Sequence, residues 1–258
     1  MISRFPKKWK RLVYEACSHC GEIEKKKIEE RLKDIDPKLL ATGRSYDPAL
    51  SWLNNAETRH SFNPFHAIIS NANPRNQHEI LVADELDESN PLWDVPREIH
   101  IPRKADALSI RLAKLLQIST EILFVDPHFR PQQNRFRNTL QRFLAEAVNG
   151  HSKLQRIEYH LKEYPDESAD NFKNNCKTNL PSIIPHGLEI LIIRWRQKEN
   201  GESLHARYVL TDRGGVRIDY GLPEGNEGET TDVSLLTHSL YLQRWADYQK
   251  ETSAFEFV

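Results

Sequence analysis

Leu204–Leu222, LHARYVLTDRGGVRIDYGL, reads as a strand, a tight glycine turn and a returning strand. Side chains alternate along a strand, so Leu204, Ala206, Tyr208 and Leu210 share one face while His205, Arg207, Val209 and Thr211 share the other. An imidazole and a guanidinium therefore stand two residues apart on one side. Asp212–Gly215 supplies the turn, because glycine accepts positive φ without a Cβ clash. Val216, Ile218 and Tyr220 then face away from Arg217 and Asp219.

The spacing His205-x-Arg207-x4-Asp212 has a chemical reading. One side chain can attack or accept a proton while the other holds an anionic phosphate oxygen. Asp212 lies seven residues beyond His205, so an unbent strand sends it to the opposite face. It joins the site only if the turn bends it back; otherwise it caps the hairpin.

Upstream, Leu108, Leu112, Leu115 and Leu116 make an amphipathic helix over 103–118. The strand 121–125 ends in Asp126-Pro127-His128. Phe136, Leu140, Phe143, Leu144, Ala147 and Val148 mark a helix over 135–148, with Asn134 as its cap. A strand at 154–161, a polar helix at 167–180 and the apolar strand 188–195 complete an alternation typical of right-handed parallel crossovers. The hairpin adds two more strands. Past an acidic, glycine-rich loop at 224–232, Val233, Leu236, Leu240 and Trp245 predict a last helix capped by Thr231 or Asp232.

Parallel strands bind ligands at their carboxyl ends. Those ends supply Asp126 and His128, then His160, then Arg194 and Arg196. Residues 129–142 add Arg130, Arg135, Arg137 and Arg142 without an acid, which suits a phosphate-bearing ligand better than a neutral one.

The chain has 258 residues, of which 38% are hydrophobic and 28% charged, enough for a sizeable core in one large domain or a main domain with an appendage. Its formal charge of −1 does not mark a nucleic-acid binder, so any basic face must be local. Ten Lys or Arg against five Glu in residues 1–33 show how uneven the charge is. No run approaches the roughly 18 apolar residues of a membrane span, and the N-terminus lacks the apolar core of a secretory leader, so a cytoplasmic location is expected.

Residues 7–34 read as helix interrupted at Gly21 and ended by Pro37. Cys17-Ser-His-Cys20 has a metal-like spacing but lacks the second pair that such sites need, so no metal or organic cofactor is expected. Residues 46–101 are punctuated by prolines and read as loops with a short helix near 49–56 and short strands at 65–70 and 79–83. They either wrap the main domain or cover it. The expected division is a helical, loop-rich region at 1–102 and an α/β domain with a mixed sheet at 103–258.

His205-Ala-Arg207-Tyr-Val-Leu-Thr-Asp212-Arg-Gly-Gly resembles the His-x-Lys-x4-Asp strand of the phospholipase D superfamily. With the terminal Gly221-Leu222 it is closer still to the phospholipase-D-like C-terminal domain of MIT-domain proteins. The resemblance covers about 103–250 and implies a three-layer α/β/α domain. Catalytic members pair two motifs to hydrolyse phosphodiesters through a phosphohistidine, and this chain carries one. The resemblance thus implies a homodimeric phosphodiesterase or nuclease. His205 would be the nucleophile, the partner subunit's His205 the acid, Arg207 the stabiliser of charge on phosphorus, and Asp212 the group orienting the imidazole.

Arg207 stands where active relatives have lysine, and a rigid fork does not replace a compact ammonium. The His-x-Arg pattern is associated with binding rather than cleavage. The alternative is therefore a noncatalytic module for phosphate, nucleic acid, phosphoinositide or protein within a larger assembly, a defence system among them. In either case the phosphate-binding candidates are Asp126, His128, Arg130, Arg135, His160 and Arg194.

Overall fold

The computed structural model describes residues 2–3, 9–34, 40–41, 44–87, 89–93, 95–150 and 153–257. The chain forms two compact units, 1–96 and 97–258. The first carries a two-residue parallel pair, β1 (Ile2–Ser3) with β2 (Leu40–Ala41). Helix α1 (Trp9–Ala16) passes through a single 3-10 turn into α2 (Glu22–Asp34). Pro37, expected to end that run, lies outside the described residues. Ser51 caps α3 (Trp52–Phe62) by accepting the Asn54 amide, and β3 (Ile68–Ser70) pairs in parallel with β4 (Ile80–Val82). Ala56, Ile68 and Ile80 make a small core, beside which the Asn55 amide donates to the carbonyls of Asp47, Leu50 and Ser51.

The second unit is a mixed α/β domain around an eight-stranded sheet. In chain order its elements are β5 (Glu98–Pro102), α4 (Ala105–Ile118), β6 (Glu121–Val125), α5 (Asn134–Val148), β7 (Arg156–Lys162), α6 (Ala169–Asn179) and β8 (Leu191–Arg196). Then follow β9 (Tyr208–Thr211), β10 (Gly214–Ile218), β11 (Thr230–Leu235), α7 (His238–Asp247) and β12 (Glu256–Phe257). The spatial order is β12-β8-β7-β6-β9-β10-β11-β5, with β6, β7 and β8 parallel and the other pairings antiparallel.

Strand β6 lies at the centre and is apolar at every position after Glu121, as a strand covered on both faces must be. Ile122 and Phe124 pack with Leu108, Leu112 and Leu116 of α4 and with Phe136, Leu140 and Phe143 of α5. Leu123 and Val125 pack on the other side with Leu210, Trp195 and Tyr241 of α7. Asn134 opens α5 as its first residue, while Gln133 stands at the cap without a side-chain bond.

Two expectations change. The prolines predict loop over 98–102, but these residues form a strand whose five residues pair with β11, so the larger unit begins at Arg97 rather than Arg103. Residues 230–235 are a strand and not the start of the last helix, because they complete the ladder between β10 and β5. Helix α7 is capped by Thr237, whose hydroxyl accepts the Leu240 amide. Among the described residues no helix is long and apolar enough to cross a membrane.

Candidate functional site

The register fixes which side chains meet. Val125 stands opposite Tyr208, so the residues just outside the ladder, Asp126 after β6 and Arg207 before β9, lie at one edge of the sheet. The end of β10 and the end of β5 reach the same edge, since β10 is antiparallel to β9 and β5 antiparallel to β11. The rim thus gathers Arg103, Asp126, His128, Arg207 and the turn 219–222.

Asp126 organises this rim. It is 1% exposed, its Oδ1 accepts the His128 amide at 2.9 Å and its Oδ2 accepts the Leu222 amide at 2.9 Å. Burial pushes its carboxyl above the ordinary range, against the pull of those two amides, Arg207 and His128. Gly221 crosses directly over the carboxylate at φ +89°, and a Cβ there would sit 2.8 Å from Asp126 Oδ2. Only glycine meets both demands.

Cations surround this carboxylate. Arg207 donates through Nη1 to the Asp219 carbonyl at 3.3 Å, while its buried Nε has no hydrogen-bond partner among the described residues. Arg103 latches the turn, donating to the carbonyls of Tyr220 at 2.7 Å and Pro223 at 3.0 Å and pairing with Glu229 at 3.5 Å. Burial, opposed by Glu229 and reinforced by Arg135 and Arg207, holds the Arg103 guanidinium below its usual value. The His128 imidazole is likewise held down, first by burial and then by Arg207, Arg130 and Lys162, with Asp126 opposing. Arg135 at the start of α5 is exposed and bonds Gln133 through Nε at 2.9 Å. Tyr220 completes the rim as an aromatic ring 65% exposed.

The other sequence candidates lie elsewhere or are already engaged. His205 is exposed in the segment before β9, and its Nδ1 donates to the Ser203 carbonyl at 2.8 Å, which leaves Nε2 as the lone-pair nitrogen of the neutral ring. Asp212 sits at the opposite edge, where its carboxylate accepts the amides of Thr120 and Glu121 at 2.8 and 3.2 Å. Because β9 runs straight from Tyr208 to Thr211, the turn does not bring Asp212 back to His205. It staples the entrance of β6 instead. Arg130, beside His128, stacks on Tyr164 at 3.3 Å and lies 3.8 Å from Glu167, with its buried Nη1 making no hydrogen bond among the described residues, and Arg194 reaches Glu163 at 3.9 Å beside Phe172.

His160 belongs to the core under α7 and is fully buried. Trp195 Nε1 donates to its Nδ1 at 2.8 Å, so its Nε2 carries the proton and donates to Glu158 at 3.0 Å. Glu158 also takes Arg156 at 2.6 Å. Burial raises the Glu158 carboxyl, but the bonds from His160 and Arg156 outweigh it and bring it down to about 2. Burial holds the His160 imidazole below its ordinary value.

Both groups are depressed in the fold, so both contribute stability at neutral pH that is lost on acidification. The loss begins as pH falls below the ordinary histidine value of 6.5 and continues through the carboxyl window from 4.5 to about 2. Glu158 accounts for about 3 kcal/mol of it. Denaturant midpoints at about pH 5, 3.5 and 2.5 should fall steadily in the wild type and more shallowly in Glu158→Gln. Equal slopes in the two proteins would contradict this assignment.

Three positions that matter at the rim, Arg103, Gly221 and Tyr220, carry no local sequence signal that marks them as site residues. Arg103 follows a strand hidden by Pro96 and Pro102, and Gly221 is needed because of a register that only the folded sheet reveals. A groove of about 440 Å3 between α4 and α5, walled by Asp106, Asn138, Arg142 and Glu224, shares no lining residue with the rim cations. Among the described residues no three His, Cys, Asp or Glu side chains are grouped to hold a metal ion.

No protein-family model and no curated protein matches the chain. Among solved structures it is similar to TrmBL2, an archaeal chromatin protein whose structure shows a novel mode of DNA binding. That likeness has 12% identity over 68% of this chain and 59% of TrmBL2, with a TM-score of 0.31. The chain spans about three-fifths of that protein's length, and a likeness this loose carries no argument about the site.

Proposed function

We propose that the second unit is a phospholipase-D-like domain whose rim binds a phosphate-bearing ligand without cleaving it. The observation that carries this reading is the Arg207 guanidinium beside buried Asp126, flanked by Arg103 and His128, with Arg135 on the far side of Arg103. Planar guanidinium groups bind phosphate oxygens in pairs. The noncatalytic half is supported by Asp212 stapling the far edge of the sheet, away from His205, which lies in an exposed segment before β9.

The test is fluorescence anisotropy with a labelled abasic deoxyribose-phosphate oligomer, which offers phosphates and no bases. Engagement of about three phosphates predicts that log K falls with log salt at a slope of about −2. Because a bound anion favours the imidazolium and His128 starts below its ordinary value of 6.5, binding should take up a proton and tighten as pH falls through that value. A flat salt response would contradict the phosphate site. Turnover of bis-p-nitrophenyl phosphate that disappears in His205→Ala would overturn the noncatalytic half.

A further inference from the structure

We infer that the ligand of this rim is single-stranded nucleic acid, with Tyr220 as the platform on which one unpaired base stacks. The inference rests on the phosphate-binding reading above and adds the chemistry of what the phosphate is attached to. Tyr220 is 65% exposed, although large aromatic rings usually bury most of their surface in folded chains. Its exposure is not slack. The Tyr220 amide donates to Thr231 Oγ1 at 3.4 Å and its carbonyl accepts Arg103 Nη2 at 2.7 Å. On either side, the Asp219 amide donates to the Asp232 carbonyl at 3.2 Å and the Leu222 amide to Asp126 at 2.9 Å. The ring is presented to solvent from a backbone fixed at four points, so little freedom remains to be lost when a planar group settles on it.

The surroundings select the kind of planar group. The Arg103 guanidinium lies 5.8 Å from the ring centroid, and the Asp219 carbonyl beside Tyr220 holds Arg207 at 3.3 Å. An exposed π-face next to phosphate-binding arginines matches a base and its own phosphate, the pairing that nonspecific single-strand binders use. Duplex is disfavoured on two grounds. Its base faces are stacked away from an aromatic platform, and its phosphates call for a broad basic surface. Here the whole chain has a formal charge of −1, and Glu229 and Asp219 border the cluster. An inositol phosphate would use the arginines but has no aromatic face for the ring.

The experiment compares a labelled oligothymidylate with the abasic oligomer of the same length, on wild type, Tyr220→Ala, Tyr220→Phe and Arg207→Gln. Melting curves check that each variant is folded. The wild type is expected to bind oligothymidylate about tenfold more tightly than the abasic strand. Tyr220→Ala should erase that preference while leaving abasic binding within about twofold. Tyr220→Phe, which keeps the ring, should retain the preference. Equal affinity of the wild type for the two oligomers, or a preference that survives Tyr220→Ala, overturns the base-stacking inference and leaves the phosphate site standing. Tighter binding of duplex DNA or of inositol hexakisphosphate than of oligothymidylate overturns it too. Abasic binding indifferent to Arg207→Gln removes the phosphate reading beneath it.

Discussion

Asp126→Ala is expected to cost about 2 kcal/mol of stability and to abolish ligand binding at the rim. The stability cost follows from the Leu222 amide, which is buried and has Asp126 Oδ2 as its acceptor; a buried donor left unpaired costs about 1–3 kcal/mol. The His128 amide loses its partner as well but lies nearer solvent. Part of the loss is offset, because the carboxylate is itself held in an unfavourable buried environment. For binding, two effects oppose each other. Removing a negative charge beside Arg207 should strengthen an anion's hold, whereas cutting the tie to Leu222 frees the turn that carries Tyr220 and the Asp219 carbonyl. Geometry should win, since a charge helps only while the fork is held in place.

Asp126→Asn separates the two. Its amide oxygen keeps one of the ties while the charge is gone, so it should lose about 1 kcal/mol and bind the abasic oligomer no more weakly than the wild type. Urea unfolding and the anisotropy assay decide the matter. A stable Asp126→Ala protein with wild-type affinity would show that Asp126 is not the organiser of the rim.

The second large effect concerns which member of the His-x-Arg pair matters. Arg207→Gln should weaken oligomer binding about 10- to 100-fold, the size expected for losing a charge-assisted, two-pronged contact of about 1.5–3 kcal/mol. His205→Ala should change affinity less than about twofold, because His205 is exposed and its one hydrogen bond is to the neighbouring Ser203 carbonyl. The reverse ranking, a small effect at Arg207 and a large one at His205, would return the site to the nucleophile reading. Glutamine is preferred to glutamate for this purpose. A second acid beside buried Asp126 would destabilise the rim by like-charge repulsion and confuse folding with binding.

The centre of the fold was legible in the sequence, and its periphery was not. Strand β6 and helix α5 were read to within a residue. A strand buried on both faces is apolar throughout, and the stripe from Phe136 to Ala147 has no competing period. β11 was misread because Val233 and Leu236 are three apart, a spacing that a helix face and a strand leading into a helix both satisfy. β5 was missed because Pro102 reads as a breaker, although an edge strand tolerates proline where no ladder bond is needed.

At the site, alternation predicts that His205 and Arg207 share a strand face, but both precede β9, which begins at Tyr208. What alternation cannot give is depth or direction. His160 is five residues into a seven-residue strand and turns toward Trp195 rather than the rim. Asp212 is carried to the far edge by the length of β9. Arg103, Gly221 and Tyr220 became rim residues through cross-strand register, which no local spacing encodes.

The central claim is that the Arg207 fork receives a phosphate. A crystal structure of the protein with the abasic oligomer tests it most directly. The account predicts a phosphate with oxygens about 2.7–2.9 Å from the Arg207 Nη atoms, with Arg135 and His128 closing around it. An oligomer bound at another surface, with the Arg207 fork hydrated and the rim empty, would contradict it.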